Sequence, residues 1–221
     1  VRHLAWVENS DMSQQGEPAG PSDKQTLRRR LRARRRVLAG ERDRRADADA
    51  IAAATSALLD TLSLTPAPRG RHSAYEGQPV VAIYRSLPTE PSTRALAEML
   101  HSRHLSVIVP EMLADRDLDW HELHADGNEG PRLGLGAIAA ADLILTPALA
   151  VDHSGTRLGQ GGGSYDRALP RRRPDAVIVA ILNDEEYAGR PLPRGPHDVR
   201  VNAVITPERG LCEISDPVSV A

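Results

Sequence analysis

The hydrophobic positions of this chain change rhythm along its length, and each change marks a predicted element. Over residues 23–40, Leu27, Leu31, Val37 and Leu38 recur at near-helical spacing. Ser22 or Asp23 can cap the start and Gly40 can end it, so a helix is predicted there. Residues 47–62, rich in Ala and Leu, predict a second helix. Residues 65–79 carry Pro, Gly and Arg and read as a loop or poorly ordered insert. The rhythm then turns into continuous apolar runs at residues 80–84, 107–110, 143–146, 177–181 and 199–205. Runs without polar alternation predict strands buried on both faces. Between the first two, Pro88 to Pro91 form a turn and a helix starts near Ser92 or Thr93, continuing through Leu100. Helical segments between buried strands predict an α/β fold, a single three-layer α/β/α domain with a mostly parallel sheet, over residues 22–215. Residues 1–21 read as a disordered or irregular extension and 216–221 as a tail. No internal repeat is present.

Composition narrows the function. Only 3% of the residues are aromatic and there is no Phe, so aromatic platforms for stacking bases are scarce. The formal net charge of −2 gives no global attraction to polyanions. Together these make a nucleic-acid partner unexpected, although the predicted first helix is dense in arginine. Glu41, Asp43, Asp47 and Asp49 dilute that charge, and the helix reads as a solvated face that lends one or two basic groups to a ligand. Cys212 is the only cysteine and reads as an inert thiol, excluding a disulfide framework or a cysteine metal cluster within the chain. No apolar run is long enough to span a bilayer, and residues 1–20 lack the apolar core of a signal peptide. A cytoplasmic protein without a membrane partner is expected.

Candidate chemistry concentrates in one turn. A buried strand leads through Pro147, Ala148, Leu149, Ala150, Val151 and Asp152 to Arg157, Leu158, Gly159, Gln160, Gly161, Gly162, Gly163, Ser164, Tyr165 and Asp166. Glycines allow positive φ and let a ligand approach the main chain closely. A helix beginning near Ser164 would present free N–H groups to phosphate. Arg157 could add a charge-assisted contact, and Asp166 could hold Mg²⁺. The turn lacks the Gly-Lys-Ser/Thr of a Walker loop and has Ser164 where a dinucleotide fingerprint needs Gly. These residues point to phosphate binding over a flexible surface loop.

The same residues, from Asp142 to Asp152 and from Arg157 to Arg167 with Gly155 between, resemble the signature of 5-formyltetrahydrofolate cyclo-ligases. Lys24 and Arg28 are similar to that family's basic pair on the first helix. Leu87, Glu90 and Thr93 resemble its strand-to-helix turn, and His197-Asp198 its carboxy-terminal segment. The resemblance runs from about residue 23 to 208. It implies an α/β/α enzyme that uses ATP and Mg²⁺ to convert 5-formyltetrahydrofolate to 5,10-methenyltetrahydrofolate, releasing ADP and phosphate. It places Lys24, Arg28 and the stretch Arg157 to Tyr165 on ATP, Leu87, Glu90, Ser92 and Tyr165 on the reduced folate, and Asp166 and Asp198 on Mg²⁺. No protein nucleophile is implied, because phosphoryl transfer needs mainly positioning and charge neutralisation. A monomer or weak dimer is expected.

The chain departs from the family pattern at several points. Gln160 stands where Arg is usual, Ser164 replaces a usual Tyr, Val151 a usual Phe, and Ser92 a common acidic residue. The segment 120–132 is short, retaining only Glu129, Gly130 and Pro131 of a longer folate-side loop. These departures leave two alternatives: a non-catalytic relative that binds RNA or a protein, and an ATP-dependent ligase or kinase for another small molecule. Read on their own, Asp115, Asp117 and Asp119 are a solvent-exposed loop, and His121 and His124 are surface residues without a zinc site. Glu90 alone would be a helix-start carboxylate, and His197-Asp198 alone a polar loop.

Overall fold

The computed structural model describes residues 21–62 and 78–214. The expected extension, the insert before residue 78 and the tail therefore lie outside the described residues, apart from their inner edges. Each continuous apolar run splits its side chains between two cores. Val80 and Ala82 of β1 (Val80–Ala82), Ile108 of β2 (Ser106–Met112), Ile144 of β5 (Leu143–Pro147) and Ile178 of β8 (Val177–Ile181) enter one. Their neighbours Val81, Val107, Leu143, Leu145 and Val179 enter the other. This is the period-two alternation of a sheet covered on both sides, and it explains why the first four runs are almost wholly apolar. The fifth is shorter than expected: Arg200 and exposed Asn202 precede the strand, which spans only Ala203–Thr206.

The sheet has eight strands in the order β11-β10-β8-β5-β1-β2-β3-β4. The five strands from β10 (Ala203–Thr206) to β2 are parallel. Antiparallel strands extend it at both ends: β11 (Gly210–Glu213) at one, and β3 (Leu118–Leu123) and β4 (Glu129–Arg132) at the other. The predicted mostly parallel α/β sheet is present. On one face lie α2 (Arg44–Thr61) and α3 (Arg94–Ser102). Asp43 caps α2 by accepting from the N–H groups of Arg45 and Ala46, so this helix starts three residues before the expected 47.

A smaller three-stranded sheet, β7-β6-β9, combines β6 (Ala150–Asp152), β7 (Arg157–Leu158) and β9 (Tyr187–Ala188). The first helix, α1 (Pro21–Glu41), uses Leu27 and Leu31 to pack against Ala150, Leu158 and Leu192 beside this sheet. Its arginines do not all face solvent. Arg35 is only 1% exposed and makes a bidentate pair with Glu186 at 2.5 and 2.7 Å. It also donates to the Ala148 carbonyl and reaches Glu90 at 3.5 Å.

Two surface expectations are overturned. Asp117 and Asp119 are buried: Asp117 is paired with Arg171, and Asp119 accepts from the N–H groups of Trp120 and Gly134 at 2.7 and 2.8 Å. His121 is not a simple surface residue either. It bridges Glu111 on β2 and the Gly130 carbonyl on β4, at 2.8 Å each. The short segment 120–132 is thus the body of a hairpin that completes the sheet edge. Among the described residues no helix is long and apolar enough to cross a membrane.

Candidate active site

The sheet order reverses at β1: the chain continues to β2 on one side and later to β5 on the other. Crevices at such reversals, beyond the carboxyl ends of parallel strands, are the usual ligand sites of α/β sheets. Here the crevice is a cavity of about 440 Å³. Tyr84, Arg85, Leu87 and Glu90 follow β1, Pro110 and Met112 end β2, and Pro147 and Ala148 end β5.

The glycine turn forms the opposite wall. Asp152 folds the chain between β6 and β7 by accepting from Ser154, Thr156 and Leu192 main-chain N–H groups. The turn then runs from Gly159 to Gly163 into the short helix α4 (Ser164–Ala168), which begins where the sequence predicts. Gly161 and Gly163 have φ of +101° and +71°. A Cβ on Gly161 would meet the Arg28 side chain at 3.4 Å, and one on Gly163 would meet Arg167 at 3.0 Å. The positive φ favours glycine at both positions, and at Gly163 the Arg167 side chain also leaves little room.

Helix α1 lies along this turn. Arg28 Nε donates to the Gly159 carbonyl at 3.0 Å, and Arg32 Nε to Gln160 Oε1 at 2.9 Å. From the other side, Arg167 donates to the Gly162 carbonyl at 2.9 Å. The side chain of Arg116 passes beside Gly162. Among the described residues, none of these four guanidiniums meets a carboxylate. The turn is therefore flanked by four guanidiniums without an ion-pair partner among the described residues, in a protein whose net charge is −2.

Two further cations are paired inside the cavity. Lys24 meets Asp198 at 2.9 Å, and Arg157 meets Asp166 at 2.5 Å. Burial works against ionisation of Asp198, yet the Gly195 N–H and the Lys24 ammonium hold its carboxyl below the usual range. Arg157 is 7% exposed, and its Nε is buried without a protein partner. The Tyr165 hydroxyl is likewise buried and unpartnered. Burial, reinforced by the nearby Glu90 charge, pushes the hydroxyls of Tyr84 and Tyr165 upward, so Tyr165 stays a hydrogen-bond donor. Buried polar groups are normally satisfied, and these two face the cavity.

Lys24, Arg28, Leu87, Glu90, every residue from Arg157 to Asp166, and Asp198 all line this one cavity. Glu90 is 4% exposed, and its carboxylate accepts from the Leu87 N–H at 3.0 Å and from Gln160 Nε2 at 3.3 Å. Ser92 is placed elsewhere, in a separate depression with Arg44, Arg45 and Arg94. Tyr84, Arg85, Pro110, Met112, Leu118, Pro147 and Ala148 are lining residues that sequence reasoning missed. Most directly follow or end predicted strands, so the strand-end rule could have found them.

Asp166 and Asp198 are the two acidic candidates for a cation. Among the described residues, no group of three or more His, Cys, Asp or Glu is placed to hold a metal ion by itself. Two carboxylates nonetheless suit Mg²⁺, which keeps several waters and takes its other ligands from substrate phosphates.

The model of the 5-formyltetrahydrofolate cyclo-ligase family matches residues 21–207. The 5-formyltetrahydrofolate cyclo-ligase of Mycolicibacterium smegmatis is 34% identical over 146 residues, covering 59% of this chain and 75% of that protein. The Escherichia coli K12 cyclo-ligase is 27% identical over 143 residues, covering 58% and 78%. Among solved structures, the 5,10-methenyltetrahydrofolate synthetase of Aquifex aeolicus has a similar fold, with a TM-score of 0.62 at 23% identity, over 90% of this chain and 96% of that one. The synthetase from Mycoplasma pneumoniae has a TM-score of 0.59 at 18% identity, over 84% and 99%. With its glycine turn, basic first helix and strand-end crevice in place, the chain belongs to the 5-formyltetrahydrofolate cyclo-ligase family.

Proposed function

We propose that this chain converts 5-formyltetrahydrofolate to 5,10-methenyltetrahydrofolate at the expense of ATP, releasing ADP and phosphate. The observation that carries the reading is the polarity of the cavity. Its glycine-turn end is basic, with Arg28, Lys24 and Arg157 around exposed main chain. Its other end is apolar, walled by Tyr84, Leu87, Pro110, Met112 and Leu118. A polyphosphate suits the first end, and a ring system with one reactive edge suits the second.

Lys24, Arg28 and Arg157 then hold the phosphates, with the Gly161–Gly163 backbone close enough to fix their orientation. Asp166 and Asp198 would hold Mg²⁺, which would supply charge neutralisation at the transferring phosphoryl group when bound. Holding it requires Lys24 and Arg157 to move from these carboxylates to phosphate oxygens, a rearrangement that leaves each charge partnered. The formyl oxygen takes the γ-phosphoryl group as ADP leaves; the second folate nitrogen then bonds the activated carbon, gives its proton to solvent, and the formyl oxygen leaves that carbon as inorganic phosphate. No side chain forms a bond to substrate. The Tyr165 hydroxyl supplies a donor at the junction of the two ends, and the apolar wall keeps water from the activated carbon.

Purified protein with ATP, Mg²⁺ and 5-formyltetrahydrofolate should release ADP in equal amount to methenyl product, the latter followed by its absorbance. ADP release indifferent to the folate, or an absent methenyl product at saturating substrates, rejects the reading. A panel of other acceptors scored by ADP release separates it from a kinase or ligase for another small molecule.

A further inference from the structure

Gln160 occupies a position in the glycine turn from which it touches both ends of the cavity. Its Oε1 accepts from Arg32 Nε at 2.9 Å, and its main-chain carbonyl accepts a second bond from the same guanidinium. Its Nε2 donates to Glu90 Oε1 at 3.3 Å. The amide can face only one way, because a guanidinium needs an acceptor and a carboxylate needs a donor. The other oxygen of Glu90 accepts from the Leu87 N–H at 3.0 Å, and Leu87 is a wall of the apolar end. A continuous path therefore runs from Arg32 on α1, through Gln160 and Glu90, to the backbone of the substrate-side turn. Arg35 and Glu186 anchor Glu90 from behind. Arg32 has no other partner among the described residues, so its position follows that of Gln160.

We propose that Gln160 is a positioning residue that couples occupancy of the phosphate end to the shape of the substrate end, so that nucleotide and reduced folate tighten each other's binding. The inference rests on the proposed function, because it takes the occupants to be those two ligands. A phosphate drawn against the turn shifts Gln160 and Arg32 together. Glu90 and Leu87 then move with them, and by linkage the reverse is equally true. Neither glutamate nor arginine can replace the amide. Glutamate keeps the bond from Arg32 and repels Glu90, whereas arginine bonds Glu90 and repels Arg32.

The test titrates the full chain with ADP, which cannot turn over, in the presence and absence of 5-formyltetrahydrofolate. In the parent protein the folate should tighten ADP on the order of tenfold. Gln160→Met, which fills the same space without hydrogen bonds, should bring that ratio close to one, the ratio being taken within the variant whatever its affinity for ADP alone. Gln160→Glu and Gln160→Arg, each keeping one half of the path, should lose the coupling as well. A filler role predicts that Gln160→Met retains the parent's ratio, and that result overturns the inference. A parent that binds both ligands independently also overturns it while leaving the proposed activity intact. A parent that binds neither ligand rejects both readings.

Discussion

Arg35 illustrates how one side chain can hold several elements together at a cost. Its guanidinium is buried among Glu186, Glu90 and the Ala148 carbonyl. Burying charge is unfavourable unless every group is partnered, and removing one partner leaves the others stranded. Arg35→Ala should therefore destabilise the fold by about 3–5 kcal/mol, read from urea unfolding. A change below 1 kcal/mol would mean that water reaches the two glutamates. Gly161→Ala tests the turn differently. At φ +101° and against Arg28, an alanine carries strain of about 1–3 kcal/mol. It should raise the KM for ATP by about tenfold while moving that for the folate less, as measured by initial rates. The glycine turn was legible because its chemistry is contiguous in sequence. The burial of Glu90 was not, because the arginine that stabilises it lies 55 residues away on a helix crowded with similar side chains. Ser92 was assigned by its place in a pattern, and the turn after Pro91 directs it to a different face.

At the scale of elements, the β2–β3–β4 edge carries a pH-sensitive clamp. Both ring nitrogens of His121 face acceptors, the Gly130 carbonyl and the Glu111 carboxylate. Satisfying both requires the imidazolium, and these bonds, the Gly130 one foremost, raise the His121 pKa. Glu129 adds to the attraction, while Glu111 is shared with Arg132. Because the folded pKa exceeds the unfolded one, the contribution is complete below about 6.5 and is lost as pH rises through the folded value. Glu111, held down to about 2 by Arg132 and His121, behaves in the opposite sense and loses its contribution as pH falls from about 4.5 toward 2. Unfolding free energy measured across pH 6 to 9 should therefore decline more steeply in the parent than in His121→Gln. Parallel curves would remove the clamp. This edge was also the least readable element. In β3, Leu118 and Trp120 alternate with Asp119 and His121, but so many charges read as an exposed loop. Their partners Gly134, Glu111 and Arg171 come from other elements, and local sequence does not reveal them. The apolar runs at 80–84, 107–110, 143–146 and 177–181 were legible because burial on two faces leaves its mark on nearly every residue, whereas at 199–205 only the part from Ala203 is strand.

For the whole molecule, α1 is a strap across the site, and two of the side chains that fasten it, Lys24 and Arg28, are ones the proposed function gives to nucleotide phosphates. Lys24, Arg28 and Arg32 reach Asp198, Gly159 and Gln160, while Leu27 and Leu31 supply the apolar seat. Under the proposed function, bound nucleotide adds contacts to the strap and the body together. A ligand at 100 times its Kd stabilises the folded state by about 2.7 kcal/mol. Hydrogen exchange with and without ADP should show added protection in α1 as well as in the glycine turn. Protection confined to the turn would mean that the helix does not share the ligand.

The strap also sets a timetable for synthesis. Arg28 and Gly159 are 131 residues apart, and Lys24 and Asp198 are 174 apart. Helix α1 is made before the other described segments, yet Gly159 and Asp198 follow long after it. At about 5–20 residues per second it waits roughly 10–35 s before Asp198 exists. Until Ala150 and Leu158 are made, Leu27 and Leu31 lack their main docking surface, and a growing chain halted before the glycine turn holds a helix without its seat. The cation contacts of the strap are thus completed abruptly, once the stretch from Gly159 to Asp198 has been made.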